Sequence, residues 1–320
     1  MTSERTASMM RHRFVPVGAS VAVGGLTALQ ARINGQLAVE LGNGLEAAVW
    51  SFGSGLLILA VLVAAVPRIR AGVARVPRAI RAGELKWWQA LGGILGGIFV
   101  GVQTATVPLL GVAVFTVAVV AGQSSSSLLV DRIGLGPAGT QPITGRRIAS
   151  ALLAVTAVTI AVWSRFGAPD FSILAVVVAF TAGVLIAVQQ AINGRTSRAA
   201  QNPMSATFLN FLLGTAALAM AFGAAWAVTG EGPTPLPSGT WWIYLGGVIG
   251  VVFIAIAAWA VPIVGVLLFA LLTIAGQLSG ALLLDVVAPT SGTQLSWTLV
   301  AGVVLAFIAV LIAARGRIRP

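Results

Sequence analysis

The chain has 320 residues, 58% of them hydrophobic and only 8% charged, with a mean hydropathy of +0.99. Soluble domains carry about 25% charged residues, so this composition excludes a soluble globular protein and implies a polytopic membrane protein. With no cysteine and a single histidine, His12, it also excludes disulfides, thiolate metal sites, a cysteine nucleophile and a histidine cluster.

The net charge of +11 would suggest nucleic acid in a soluble protein. Here the arginines fall in loops and tails, where they orient spans against a membrane, so no nucleic acid, metal or cofactor is expected. In chain order, Arg11 and Arg13 precede an apolar run that resembles a signal peptide. Phe14–Ile33 is nevertheless of span length and ends without a small-residue cleavage site, which makes it a retained first span. Stretches able to cross roughly 30 Å of hydrocarbon follow, giving ten expected spans at 14–34, 45–66, 87–107, 109–130, 146–166, 171–192, 204–228, 241–260, 262–284 and 295–314. Spans abut at Val107-Pro108 and Val261-Pro262, where either a tight hairpin or a proline-kinked helix would serve. Residues 87–130 are too long for one crossing, which favours the hairpin.

The sequence is written twice. Gln30-Ala31-Arg32-Ile33-Asn34-Gly35 returns as Gln189-Gln190-Ala191-Ile192-Asn193-Gly194, an offset of 159. Trp87-Trp88 and Leu91-Gly92-Gly93 return as Trp241-Trp242 and Leu245-Gly246-Gly247, an offset of 154. Ala121-Gly122-Gln123 and Asp131 keep that offset as Ala275-Gly276-Gln277 and Asp285. The expected organisation is therefore a cytoplasmic tail at 1–13, five-helix repeats at 14–166 and 171–314, and a second cytoplasmic tail at 315–320.

Charge gives the two copies opposite senses. A cytoplasmic N-terminus puts seventeen of the nineteen basic residues inside: Arg5, Arg11, Arg13, Arg68, Arg70, Arg75, Arg78, Arg81, Lys86, Arg132, Arg146, Arg147, Arg195, Arg198, Arg315, Arg317 and Arg319. Arg165 falls outside and Arg32 at the end of the first span. The loop before the first double tryptophan has six basic residues, whereas its counterpart at 229–240 has Glu231 and none. An odd number of spans per copy inverts the second copy, so the fold class expected is all-α, ten transmembrane helices as two inverted five-helix repeats.

Amides in hydrocarbon need partners. Gln30 with Asn34, and Gln189 with Asn193, each share a helix face near opposite ends of the membrane. They either bond neighbouring helices, end the span at an Asn-Gly turn, or line the two mouths of a cavity. Gln123 and Gln277 sit deeper, and Gln123 leads into Ser124 to Ser127. These glutamines, with Ser124, are the leading candidates for substrate contact, against a role as helix glue. Asp131 and Asp285 end the fourth and ninth spans; as simple interfacial acids or as gating and coupling groups they join Glu46, which could pair with Arg32 across a short outer loop. Asp170 is a further acid on the outer side. The glycines at 92, 93, 96, 97 and 101, repeated at 246, 247 and 250, suit close helix packing, and the double tryptophans suit interfacial anchoring.

The order Gln-x3-Asn-Gly, Asn43 or Asn202, Phe-x2-Gly at Phe52–Gly55 and Phe211–Gly214, then Gly-Gln-x7-Asp, resembles the bacterial YdcZ family, a branch of the drug/metabolite transporter superfamily. The resemblance covers nearly the whole chain, once per half, and departs from itself at Pro203 in place of Gly44. It implies an inner-membrane protein with both ends cytoplasmic and a central cavity between the halves. The function expected is secondary transport, as an exporter, of a small organic solute; no nucleotide-binding motif is present. A membrane scaffold and a lipid-modifying enzyme are the alternatives. Expected partners are the small-molecule substrate and the lipid bilayer, with a homodimer left open.

Overall fold

The computed structural model describes residues 2–137, 139–165, 171–238, 240–264, 266–289 and 295–315; the side chains of 2–14, 165, 258, 261–264, 266–268 and 313–315 lie outside the described residues. The expectations placed on Arg5, Arg11, His12, Arg13, Arg165, Asp170, Val261-Pro262, Arg315, Arg317 and Arg319 therefore fall outside the described side chains. The fold is all-helical among the described residues: α1 (Thr2–Leu41), α2 (Gly44–Ala65), α3 (Pro67–Arg81), α4 (Gly92–Leu110), α5 (Val112–Arg132), α6 (Gly145–Val162), α7 (Ile173–Ala200), α8 (Pro203–Thr229), α9 (Gly246–Val264), α10 (Val266–Val287) and α11 (Trp297–Arg315). Each double tryptophan begins a short 3-10 turn that leads into α4 or α9.

Seven helical stretches among the described residues are long and apolar enough to cross a membrane: those of α2, of Trp87–Leu110, of α5, α6, α7 and α8, and Phe269–Val287 of α10. α9 and α11 are described over shorter apolar runs. α1 is outside this set and carries Gln30, Arg32, Asn34 and Gln36 within four successive half-turns.

Local chemistry explains where the helices stop. Asn43 and Asn202 are N-caps: Asn43 accepts from the Leu45 and Glu46 amides at 3.0 and 3.1 Å, and Asn202 from Ser205 at 3.2 Å. The Asn-Gly pairs stop nothing. α1 continues through Asn34-Gly35 to Leu41, where the Asn34 amide bonds to Gln103 of another helix, and α7 continues through Asn193-Gly194 to Ala200. The Val107-Pro108 joint is a hairpin displaced by three residues. α4 runs through Pro108 to Leu110, and the chain turns at Gly111, whose φ of 78° suits glycine.

α7 shows that this turn reverses direction. Gly92 and Gly96 of α4 lie on Asn193 and Gln189, so α4 opposes α7; Gly122 and Val130 of α5 lie near Phe180 and Ala187–Ala191, so α5 runs with it. Similarly, α1 runs with α4 (Asn34 at Gln103, Gly35 at Val107) and with α10 (Val21 at Gly276, Gly25 at Gly280). The segment 67–86, expected as a basic loop, is largely the amphipathic helix α3. Pro67 starts it, and Ile69, Gly72, Val76 and Ala79 bury one face.

The halves touch each other reciprocally. A Cβ on Gly92 would lie 2.1 Å from Asn193 Oδ1, and one on Gly246 would lie 2.1 Å from Asn34 Oδ1. A Cβ on Gly122 would lie 1.9 Å from the Phe180 carbonyl oxygen, and one on Gly276 1.9 Å from that of Val21. Phe52 and Phe211 stack at 4.8 Å, each over the other copy's glycine, Gly214 or Gly55. Such i-to-j, j-to-i contacts are the mark of a two-fold relation. The first helix of each copy is exchanged: α1 packs most extensively on α10 and also on α9, and α7 on α5 and α4. α6 and α11, the last helices of the copies, close the far side of the bundle against each other.

Candidate functional site

The bundle has a basic end, which carries α3, and a distal end, which carries the α1–α2 and α4–α5 turns. At the distal end the NH2 groups of Gln30 and Asn34 are taken up by neighbouring helices, while the Asn34 oxygen is buried without a partner. Asn34 is fully buried and donates to Gln103 Oε1 at 2.8 Å; Gln30 donates to the Gly246 carbonyl at 2.7 Å. Gly35 lies against Val107 and Pro108, joining α1 to α4. Asp285, 1% exposed, spans the turn from α10: its two oxygens accept from the Val112 and Ala113 amides at 3.1 and 2.7 Å, capping α5. Asp285 therefore faces the interior rather than solvent, which corrects the simple interfacial reading for this residue.

Glu46 does not pair with Arg32. It is buried at the start of α2 and accepts from Thr234, from the amide at 3.1 Å and from the hydroxyl at 2.9 Å, tying down the loop after α8. Arg32 instead lines a small distal cleft with Gly35, Gln36, Val107, Pro108 and Pro289, with one guanidinium nitrogen buried and unpartnered.

At the basic end the matching residues are looser. Gln189 donates to Asn210 Oδ1 at 3.1 Å and is buried, but Asn193 is only half-buried over Gly92. Gln123 on α5 donates to Gln190 Oε1 on α7 at 2.8 Å, and Gln190 is exposed. At 1.5 Å per residue the two lie about 14 and 15 Å from the basic ends of their helices. Its counterpart in the first copy is Ala31, 2% exposed. Gln277, the inverted counterpart of Gln123, lies on α10 eight residues before Asp285 and so nearer the distal end; it is half-buried, and no hydrogen bond holds its amide among the described residues. Ser124 is half-buried beside Gln123, and the hydroxyl of Ser125 is buried without a partner. Ser126 and Ser127 bond back to their own helix at 2.8 Å. Asp131, unlike Asp285, is part-exposed and ion-pairs with Arg147.

The helices differ in the same sense. α1 packs on α4, whereas α7 and α9, which occupy the equivalent places, make no extensive contact among the described residues. Gly194, the counterpart of Gly35, lies against Pro137 of the turn after α5; the side chain of Pro262, the counterpart of Pro108, is outside the described residues. Arg195 holds that turn by donating to the Gly134 and Leu135 carbonyls, both at 2.6 Å.

Of the residues singled out in the sequence, Gln30, Asn34 and Gln189 thus join helices, Gln123 pairs with Gln190, and Gln277 and Asn193 are half-buried. Sequence reasoning passed over Gln190, Gln103 and Asn210. A lone amide inside an apolar span was the available signal for Gln103. For Gln190 it was that the repeat replaces it with alanine.

A family model described as "Putative inner membrane exporter, YdcZ" matches residues 15–160 and again 174–312. The chain belongs to the YdcZ family of drug/metabolite transporters. The two matches fall on the two copies, so each half of this YdcZ-family chain is one family unit. No curated protein and no solved structure matches it significantly. Family and apolar helices together make it a multi-pass inner-membrane protein of a transporter family.

Proposed function

We propose that this protein is a secondary exporter of a small organic solute, built as ten spans in two inverted five-helix copies and working by alternating access. Inversion is supported by helix direction: α1 runs with α4, and α4 runs against α7, so the first helices of the two copies point opposite ways. The arginine distribution supports a cytoplasmic basic end with both termini on that side.

The observation that carries the reading is the unequal state of two equivalent seams. Two copies related by a two-fold axis can exchange which seam is closed, and here Ala31 at the distal seam is buried while its counterpart Gln190 at the basic seam is exposed. An exposed amide pair in the middle of apolar helices is costly against lipid, so it faces a water-filled cavity open toward the cytoplasm. Gln123, Gln190, Gln277 and Ser124 contact the solute, which their lack of charge suits to a neutral or amphipathic molecule. Asp285 latches the distal gate. Glu46, Asp131 and Asp285 all hold structural bonds, so any proton coupling has to break one of them.

The test is a thermal-shift screen of purified wild type against small metabolites, followed by flux of each hit in proteoliposomes. Hits are expected to be transported by wild type and to bind the Gln123→Ala, Gln190→Ala double variant about tenfold more weakly, the order of two lost amide bonds. Transport with undiminished affinity in the variant removes the amide pair from the site. Stabilisation without flux favours a scaffold.

A further inference from the structure

The helix α3 is fixed by one face and solvent-facing on the other. Its buried face sits on the turn between α7 and α8, where the Ser205 hydroxyl donates to the Ile69 carbonyl at 2.7 Å and Arg75 donates to the Ala200 carbonyl at 3.1 Å. Arg68, Arg70, Arg78 and Arg81 are exposed, and Lys86, Trp87 and Trp88 follow on the surface. Orientation of the chain accounts for the presence of these arginines but not for a cleft that two of them help to line.

That cleft, about 460 Å³, is lined by Pro67, Arg68, Ala71, Arg75, Gln201 and Asn202. Its side chains offer donors. Arg68 bonds no other described residue, and Arg75 commits one nitrogen to Ala200. Asn202 spends its oxygen on the Ser205 amide, leaving its NH2 group free. Gln201 adds a second amide from a left-handed position at φ 53°. No carboxylate lines the cleft. Two guanidinium groups and two amides around a small volume match a phosphate.

Position selects the source of that phosphate. A single residue, Val66, separates the end of the span α2 from α3, so Pro67 lies at the hydrocarbon boundary. Leu57 and Val61, in the last turns of α2 before it, are exposed apolar side chains. An acyl chain can follow them while its headgroup occupies the cleft. We propose that the cleft between α3 and the α7–α8 turn binds the phosphate of an anionic phospholipid, bridging the first copy to the second. The corresponding loop of the second copy, residues 230–240, has no basic residue, so the site is single and lies at the basic end. The proposal does not depend on transport.

Native mass spectrometry of the full chain in detergent, titrated with phosphatidylglycerol or phosphatidylcholine, tests it, with inorganic phosphate as a separate arm. One phosphatidylglycerol is expected to bind in preference to phosphatidylcholine. Arg68→Gln should weaken it several-fold, and Arg68→Gln with Arg75→Gln about tenfold or more. The Arg78→Gln, Arg81→Gln pair, outside the cleft, should weaken it less than Arg68→Gln alone. Because Arg75 also braces α3, the single Arg68→Gln variant decides the matter if the double variant does not fold. Equal loss in the cleft and control variants reduces the effect to diffuse surface charge, and the proposal fails. It fails equally if phosphatidylcholine binds as well, or if inorganic phosphate competes at the affinity of the lipid.

Discussion

At the distal end, α1 meets α4 through Asn34, Gln103, Gly35 and Val107, and Asp285 reaches across to hold the first turn of α5. At the basic end the equivalent α7 and α9 make no extensive contact among the described residues, Gln190 is exposed, and Asp131 forms a part-exposed ion pair with Arg147. The same residue pattern therefore supports two packings. The copies share the contacts that make the scaffold (Gly122 with Phe180, Gly276 with Val21, Phe52 with Phe211) and differ in those that close a seam. A transporter needs this division: symmetric contacts that never open, and asymmetric ones worth only a few kcal/mol, small enough to exchange.

The comparison breaks most forcefully at the symmetric contacts. Gly122→Leu and Gly276→Leu each press a side chain onto a backbone carbonyl, costing about 3 kcal/mol or more. Both should lose folded protein to a similar extent in thermal unfolding followed by size-exclusion chromatography. Unequal losses would mean the scaffold is not shared.

The aspartates should separate. Asp285→Asn leaves two buried amides with a weaker, partial cap and should cost about 1–3 kcal/mol, while opening the distal seam. Asp131→Asn, at a part-exposed ion pair, should cost about 1 kcal/mol or less. Paired thermal unfolding of the two variants measures the difference.

Smaller still is the bond that closes the distal seam. A double-mutant cycle of Asn34→Ala and Gln103→Ala should return a coupling of about 1 kcal/mol, whereas Asn193→Ala should stay within about 0.5 kcal/mol of wild type. Gln190→Ala should be the mildest in stability, within about 0.5 kcal/mol, and visible mainly in solute binding.

Several of these features were legible in the sequence because they repeat. Gly92 and Gly246 announce close helix approach, and Gln123 and Gln277 announce polar positions inside apolar helices. What stayed hidden depends on partners that no local pattern names. Asn34-Gly35 reads as a turn, but a helix continues through it once Gln103 of another span accepts the Asn34 amide. Asp285 reads as a terminal acid, and only the reversal of the chain at Gly111 brings the α5 amides to it. α3 was hidden by its charge: the arginines suggest a loop, while Ile69, Gly72, Val76 and Ala79 carry the helical spacing that packing requires. Of the Gln189-Gln190 pair, only the alanine at the matching position of the first copy hinted that Gln190 is the exposed member, because one residue of rotation decides whether an amide faces a neighbouring helix.

The absence of cysteine makes the two seams directly comparable. Single cysteines at Gln190 and at its counterpart Ala31 would be exposed in vesicles of either orientation to a membrane-impermeant thiol reagent. The account predicts that Gln190→Cys labels rapidly from the arginine-rich side alone, and that Ala31→Cys resists labelling from both sides until a transported solute is supplied. Equal labelling of the two positions, or labelling of Gln190→Cys from the opposite side, would contradict it.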